Sequence, residues 1–172
     1  MSDKGTPVLA AVCGLYCGGC ALYIATQRND IKTLAQLAET YGTAVENLKC
    51  DGCRSGRVSS YCGDCGLIKC ASEKGYQSCG ECDENSTCEL LVTFQKAKPD
   101  RKDIRKDFKR ISEVGVHAWV AEMRQRYACP ACGYPNSAYD LKCRKCGHEP
   151  ANAYVAEHMD EIKEHLKDQK NG

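Results

Sequence analysis

Long apolar runs, net charge and catalytic sets are all scarce in this sequence. No stretch approaches the roughly 18 apolar residues of a membrane span. The run Val8 to Val12 is short and lacks a basic start, so no targeting segment is expected. The 24 Lys and Arg nearly cancel the 23 Asp and Glu, so the chain as a whole has little field to attract a polyanion. Trp119 stands alone, and phenylalanine occurs only at Phe94 and Phe108, so a large core of stacked rings is not expected. There is no Ser-His-Asp set, no phosphate-binding glycine loop and no convincing acid pair. Histidine is absent before His117. The expectation is a cytoplasmic protein with no membrane contact and, more readily than not, no enzymatic role.

What is abundant is cysteine, with 15 in 172 residues. The odd number fits a closed disulfide framework poorly. In a reducing compartment dense cysteine means metal or catalysis. The chain is long enough for one ordinary domain or two very small ones, and small cores need staples. The cysteines fall in two blocks. Eleven lie between Cys13 and Cys88, none between Glu89 and Ala128, and four between Cys129 and Cys146.

The second block reads most clearly. Cys129-x2-Cys132 and Cys143-x2-Cys146 are each followed by glycine, Gly133 and Gly147. Such turns aim two sulfurs at one cation, and two of them complete a tetrahedral four-thiolate site. The pattern resembles zinc ribbons and rubredoxin-like knuckles, and zinc is the expected occupant. Mononuclear iron and a free dithiol pair are the lesser alternatives.

The first block has four Cys-x-x-Cys pairs: Cys17 with Cys20, Cys50 with Cys53, Cys62 with Cys65, and Cys79 with Cys82. Cys13, Cys70 and Cys88 stand alone. All eleven are candidate ligands for two or three further sites, giving about three zinc ions in the chain, within a range of roughly two to four. Their pairing is open. The Cys50 and Cys62 pairs have ribbon-like spacing, so consecutive pairing is the first guess there, but interleaved pairs fit as well. The opening Cys13-x3-Cys17-x2-Cys20 is also a spacing found in radical enzymes. Those need a large α/β barrel that this chain is too short to build. An iron–sulfur cluster of ferredoxin type is the alternative occupant of the block, beside the preferred zinc. A third reading has the pairs cycling as disulfides.

Between the blocks the pattern turns helical. Asp30 can cap a helix carrying Ile31, Leu34, Leu37, Ala38 and Tyr41, with Gly42 as its stop. Thr43 and Glu46 read as a capping box for a short helix towards Leu48. Pro99 suits a helix start, and Ile104, Phe108 and Ile111 form an apolar stripe ended by Gly115. Val116, Trp119, Val120, Met123 and Tyr127 form the next stripe, which places Trp119 in the core. Tyr154, Val155, Met159, Ile162 and Leu166 share the face of a last helix. The basic run Lys96 to Arg110 reads as a solvated helix face, with Asp100, Asp103 and Asp107 interspersed. His148, beside the second block, reads as a surface residue. His158 and His165 read as surface or packing residues.

Several segments together match a known family. "CGLYCGGCALYIA", "CDGCRS" and "YCGDCGLIKCASEKGYQSCGECDENSTCELL" resemble the cysteine-rich family catalogued as domain of unknown function 3795, over about Val12 to Leu91. The shared steps are Cys13 to Cys20, Cys50 to Cys53, Cys70 to Gly75 and Cys79 to Cys88. The Gly115 to Trp119 segment and the following cysteine ribbon also look like longer members. The resemblance implies a bacterial or archaeal, cytosolic, metal-binding protein, and it implies no reaction.

The expected fold is α+β, small and metal-stabilised. An irregular cysteine-knuckle domain with short helices (8–90) leads into a helical hairpin (91–127), a zinc ribbon (128–150) and a C-terminal helix (151–170). The preferred function is a metal-scaffolded zinc-binding interaction module. Its expected partner is an unidentified protein; nucleic acid is kept but not favoured. The alternatives are an iron–sulfur electron-transfer or redox protein, and a zinc enzyme with one open coordination position.

Overall fold

The helix most clearly signalled in the sequence forms with the expected ends. The computed structural model describes residues 9–171, so Val8, at the start of the first expected domain, lies outside it. Ala21–Gln27 (α1) leads into Ile31–Tyr41 (α2). The Asp30 carboxylate accepts from the Thr33 amide at 3.0 Å and its hydroxyl at 2.7 Å, satisfying donors that a helix start leaves free. Gly42 closes α2 in the left-handed conformation. The Thr43 amide bonds back to Ala38 O at 3.0 Å. Thr43 thus belongs to the α2 stop, and the expected capping box does not form. The next helix, Val45–Leu48 (α3), starts from Ala44 with no side-chain cap. Leu22, Ala25, Leu34, Ala38 and Leu48 bury one apolar cluster. Ile31 and Tyr41, expected on that packed face, are exposed.

Short helices punctuate the cysteine-rich stretch: Ser60–Gly63 (α4), Gly66–Glu73 (α5) and Glu89–Lys96 (α6). Leu67, Leu91 and Ile104 join α5 and α6 to Ile104–Val114 (α7) in a second cluster, against which Phe108 packs. Gly115 then turns the chain into Val116–Arg126 (α8). Arg110 bridges this hairpin with two bonds to Glu122, 2.9 and 2.6 Å. Ala153–Asn171 (α9) completes the chain, with a non-helical residue at His158. Trp119, Val120, Met123, Tyr127, Tyr154, Val155 and Ile162 form the third cluster, with Ala10 and Tyr16 from the chain start.

The expected α+β class does not hold in full. The fold is small and mostly helical. Among the described residues there is no sheet, only isolated bridges pairing Ala10 with Tyr16 and Ala128 with Pro135. The reason is local. Turns around each knuckle close on their own backbone, and buried Asn136 and Asn152 supply partners a neighbouring strand would otherwise give.

A buried polar hub ties the C-terminal helices together. Asp103, 3% exposed, accepts from Arg126 at 2.7 Å and Lys106 at 3.0 Å and meets His158 Nε2 at 3.0 Å. Burial pushes its carboxyl up, but these three partners outweigh it and hold the pKa well below the usual range. The basic run is consequently less solvated than its charges suggest. Arg101 is buried, Lys102 pairs with Glu161, and Arg105 donates to Asn85 O at 3.1 Å.

Asp107 behaves oppositely. Burial lifts its pKa to about 6, although the Trp119 indole donates to it at 3.1 Å. A carboxyl held above its unfolded value of about 3.9 favours the folded state only when protonated. Stability is therefore lost as pH rises from about 4 through 6, by up to about 3 kcal/mol for two pKa units. Asp107→Asn keeps an acceptor for Trp119 and removes the charge. It is expected to raise the melting temperature at pH 7–8 and to have no effect near pH 4; an equal shift at both would refute this origin.

Candidate metal centre

The C-terminal cysteines are drawn together by two matching turns. Cys129 N bonds to Tyr134 O and Gly133 N to Cys129 O, both at 2.8 Å. Cys143 N bonds to His148 O at 2.8 Å and Gly147 N to Cys143 O at 2.9 Å. Gly133 and Gly147 carry positive φ, 70° and 76°, which glycine adopts without strain. His148 thus serves its turn through its carbonyl. The sulfurs interdigitate: Cys129 lies 3.6 Å from Cys146, and Cys132 lies 3.7 Å from Cys143. All four are within 4.8 Å of one another. A tetrahedral ion with bonds of about 2.3 Å places its sulfurs roughly 3.8 Å apart, so this group can hold a metal ion.

The electrostatics agree. Burial raises the Cys143 thiol, but the Cys146 and Lys145 amides and the Asn136 side chain outweigh it and hold its pKa at about 6. Cys146 receives a bond from the His148 amide, yet the surrounding thiols push it up to about 12. Four sulfurs so close share one negative charge comfortably and need a cation to carry more.

Asn136 was not legible as part of this site. It is fully buried, and its amide reaches Tyr134 O at 2.8 Å and Cys143 Sγ at 3.5 Å. Its oxygen accepts from the Arg144 amide at 3.0 Å. Asn152 continues the scaffold, accepting from Val155 N at 2.9 Å to start α9. Only the position of Asn136 between two knuckles hinted at this.

The eleven N-terminal cysteines are arranged differently. Among the described residues, the other group of ligand atoms within 4.8 Å is Asp103, Glu157 and His158, where the Arg126 guanidinium already pairs with both acids. The N-terminal sulfurs line cavities instead. Cys13, Cys17, Cys20, Cys50, Cys53, Cys62 and Cys65 line one of about 530 Å³. Cys70, Cys79, Cys82 and Cys88 line another of about 260 Å³. All eleven are thereby divided seven and four. The Cys50 and Cys62 pairs do face one cavity, but a thiol hydrogen bond on this lining joins Cys17 to Cys53. That bond, aided by the Val12 amide at 3.4 Å, lowers Cys53 to about 6. Burial, reinforced by the neighbouring thiols of Cys20, Cys50 and Cys65, pushes Cys62 up to about 12.

Residues 9–93 match the family model described as Protein of unknown function (DUF3795). No curated protein and no solved structure matches the chain. The matched segment holds all eleven N-terminal cysteines and stops short of the C-terminal four. The larger cavity, however, is completed from outside it by Arg101, Tyr127 and Tyr139.

Tyr127 also presses on the first knuckle. A Cβ at Gly19 would stand 2.4 Å from its ring, and Gly19 O accepts from the Ala138 amide at 3.1 Å. Gly19→Ala is therefore expected to destabilise by about 1–3 kcal/mol through overpacking. Thermal melts of the metal-loaded protein check this, and an unchanged midpoint would show that Tyr127 yields freely.

Proposed function

We propose that this is a metal protein with two kinds of centre: a structural zinc in the C-terminal four-cysteine group and iron–sulfur chemistry in the N-terminal block, serving electron transfer with a protein partner. The observation that supports this reading is the contrast in sulfur placement. The C-terminal sulfurs converge to the spacing of a single ion. The N-terminal ones surround space, and a polynuclear cluster needs its thiolates spread around a volume that a lone zinc does not.

The lining of the larger cavity fits such a group. Arg101 is buried there, stacked on Phe94 at 3.8 Å. It donates to Phe94 O at 3.1 Å and to the Tyr61 hydroxyl at 3.2 Å, while its Nε is buried with no partner. A cluster bound by thiolates carries net negative charge, and a cation with a spare donor suits that neighbour. When bound, the group would supply one-electron transfer. The protein's part is to provide thiolates, shield them with Leu22, Leu67 and Phe94, and place positive charge alongside.

Anaerobic purification tests the reading. The expected result is a brown protein containing iron, acid-labile sulfide and one zinc per chain. A colourless protein with two or more zinc ions and no sulfide would favour the interaction module instead.

A further inference from the structure

We infer that Cys70, Cys79, Cys82 and Cys88 form the complete ligand set of one iron–sulfur cluster, separate from the site in the seven-cysteine cavity. This rests on the iron–sulfur reading above and assigns ligands within it.

Three observations carry the assignment. First, the cavity of about 260 Å³ has four cysteines on its wall, the number that closes a cluster's thiolate set. The void is many times the volume that one water needs, whereas a zinc site of this chain's C-terminal kind has its sulfurs in near contact. Second, the remaining wall suits a cluster. Leu67, Ala71 and Leu91 are buried and apolar, so they keep water from the inner side. The outer side carries the Lys74–Glu84 ion pair at 3.2 Å, both ends exposed. Third, the four ligands sit on firm supports. Cys70 lies within α5, and Cys88 caps α6. Cys79 N bonds to Val12 O at 2.8 Å, and the Asn85 amide holds Cys82 O at 2.7 Å.

The two linings are distinct although they meet at one apolar cluster. Leu67 lines both cavities, and Cys13 and Cys65 of the larger one pack, like Cys79 and Cys88 of the smaller one, against Leu67, Leu91 and Ile104. None of the seven cysteines of the larger cavity lines the smaller one. The sequence order agrees, since the division falls between Cys65 and Cys70.

The test compares the wild-type chain, Cys82→Ser/Cys88→Ser and Cys17→Ser/Cys53→Ser. Each is reconstituted anaerobically with ferrous iron and sulfide and analysed for iron, sulfide and zinc. Electron paramagnetic resonance spectra are recorded after reduction. The Cys82/Cys88 variant should lose one cluster's share, roughly two to four iron atoms with matching sulfide, and one resonance signal, with zinc unchanged. The Cys17/Cys53 variant should keep that share and that signal. Because either variant could fold poorly, cysteine alkylation is followed by mass spectrometry on the wild type. Cys70, Cys79, Cys82 and Cys88 should be protected together and become labelled together when the cluster is stripped.

A wild-type protein that takes up no iron or sulfide would sink the iron–sulfur reading itself. Wild-type iron retained by Cys82→Ser/Cys88→Ser, or protection shared between this set and Cys13 to Cys65, would overturn the ligand assignment alone.

Discussion

Cys143→Ser should strip the metal from the C-terminal group and unfold the segment around it. Cys143 is buried, its amide and sulfur both anchor the second knuckle, and Asn136 bonds to that sulfur. A structural zinc contributes on the order of 10 kcal/mol to folding, a large share of the roughly 5–15 kcal/mol that stabilises a domain. Serine offers a poor ligand and leaves three thiolates to repel one another. With a structural zinc there, as proposed above, the variant should lose that zinc and its cooperative thermal transition in the C-terminal half. The exposed Cys132→Ser should be milder, because solvent can complete the coordination there. Zinc content and circular dichroism check both, and a Cys143→Ser protein with full zinc and an unaltered melt would refute the site.

Trp119→Ala should be the most damaging change away from any cysteine. Trp119 is 1% exposed, meets Tyr16 edge-on at a ring distance of 6.2 Å, and donates to buried Asp107. Emptying a buried aromatic site costs about 3–5 kcal/mol. Leaving the Asp107 carboxylate without its donor adds about 1–3 kcal/mol. The second contribution has its own signature. In the Asp107→Asn background the loss caused by Trp119→Ala should shrink, since no buried charge is stranded. Denaturant melts of the two single variants and the double variant measure that coupling. Strict additivity would show that the indole N–H contributes nothing.

The parts of this fold that could be read in advance are those decided within a few residues. Asp30 and Gly42 delimit α2 because caps act locally. The hairpin of α7 and α8 follows from two apolar stripes broken at Gly115, and Trp119 lies in the core that its stripe implies. The C-terminal cysteine group is equally local, two short turns and a connecting loop. What escaped the sequence depends on long-range packing. Thr43 could not reveal that its amide serves the helix behind it rather than the one ahead. The seven-and-four division of the first block needs α5 and α6 to be packed against α7, which spacing does not encode. Arg101 looked like one more surface cation because its burial comes from Phe94 and Tyr61, the latter 40 residues away.

The walls of the larger cavity also set an order in time. Its seven cysteines end at Cys65, but Ala138 and Tyr139 close one side of it, held by the Ala138 bond to Gly19 and the Tyr139 hydroxyl bond to Asp100 at 2.6 Å. During synthesis every sulfur of that cavity leaves the ribosome well before the residues that shut it. The nascent chain therefore passes through a stage in which these thiols stand more open than in the folded protein, where Cys20 alone of the seven remains exposed.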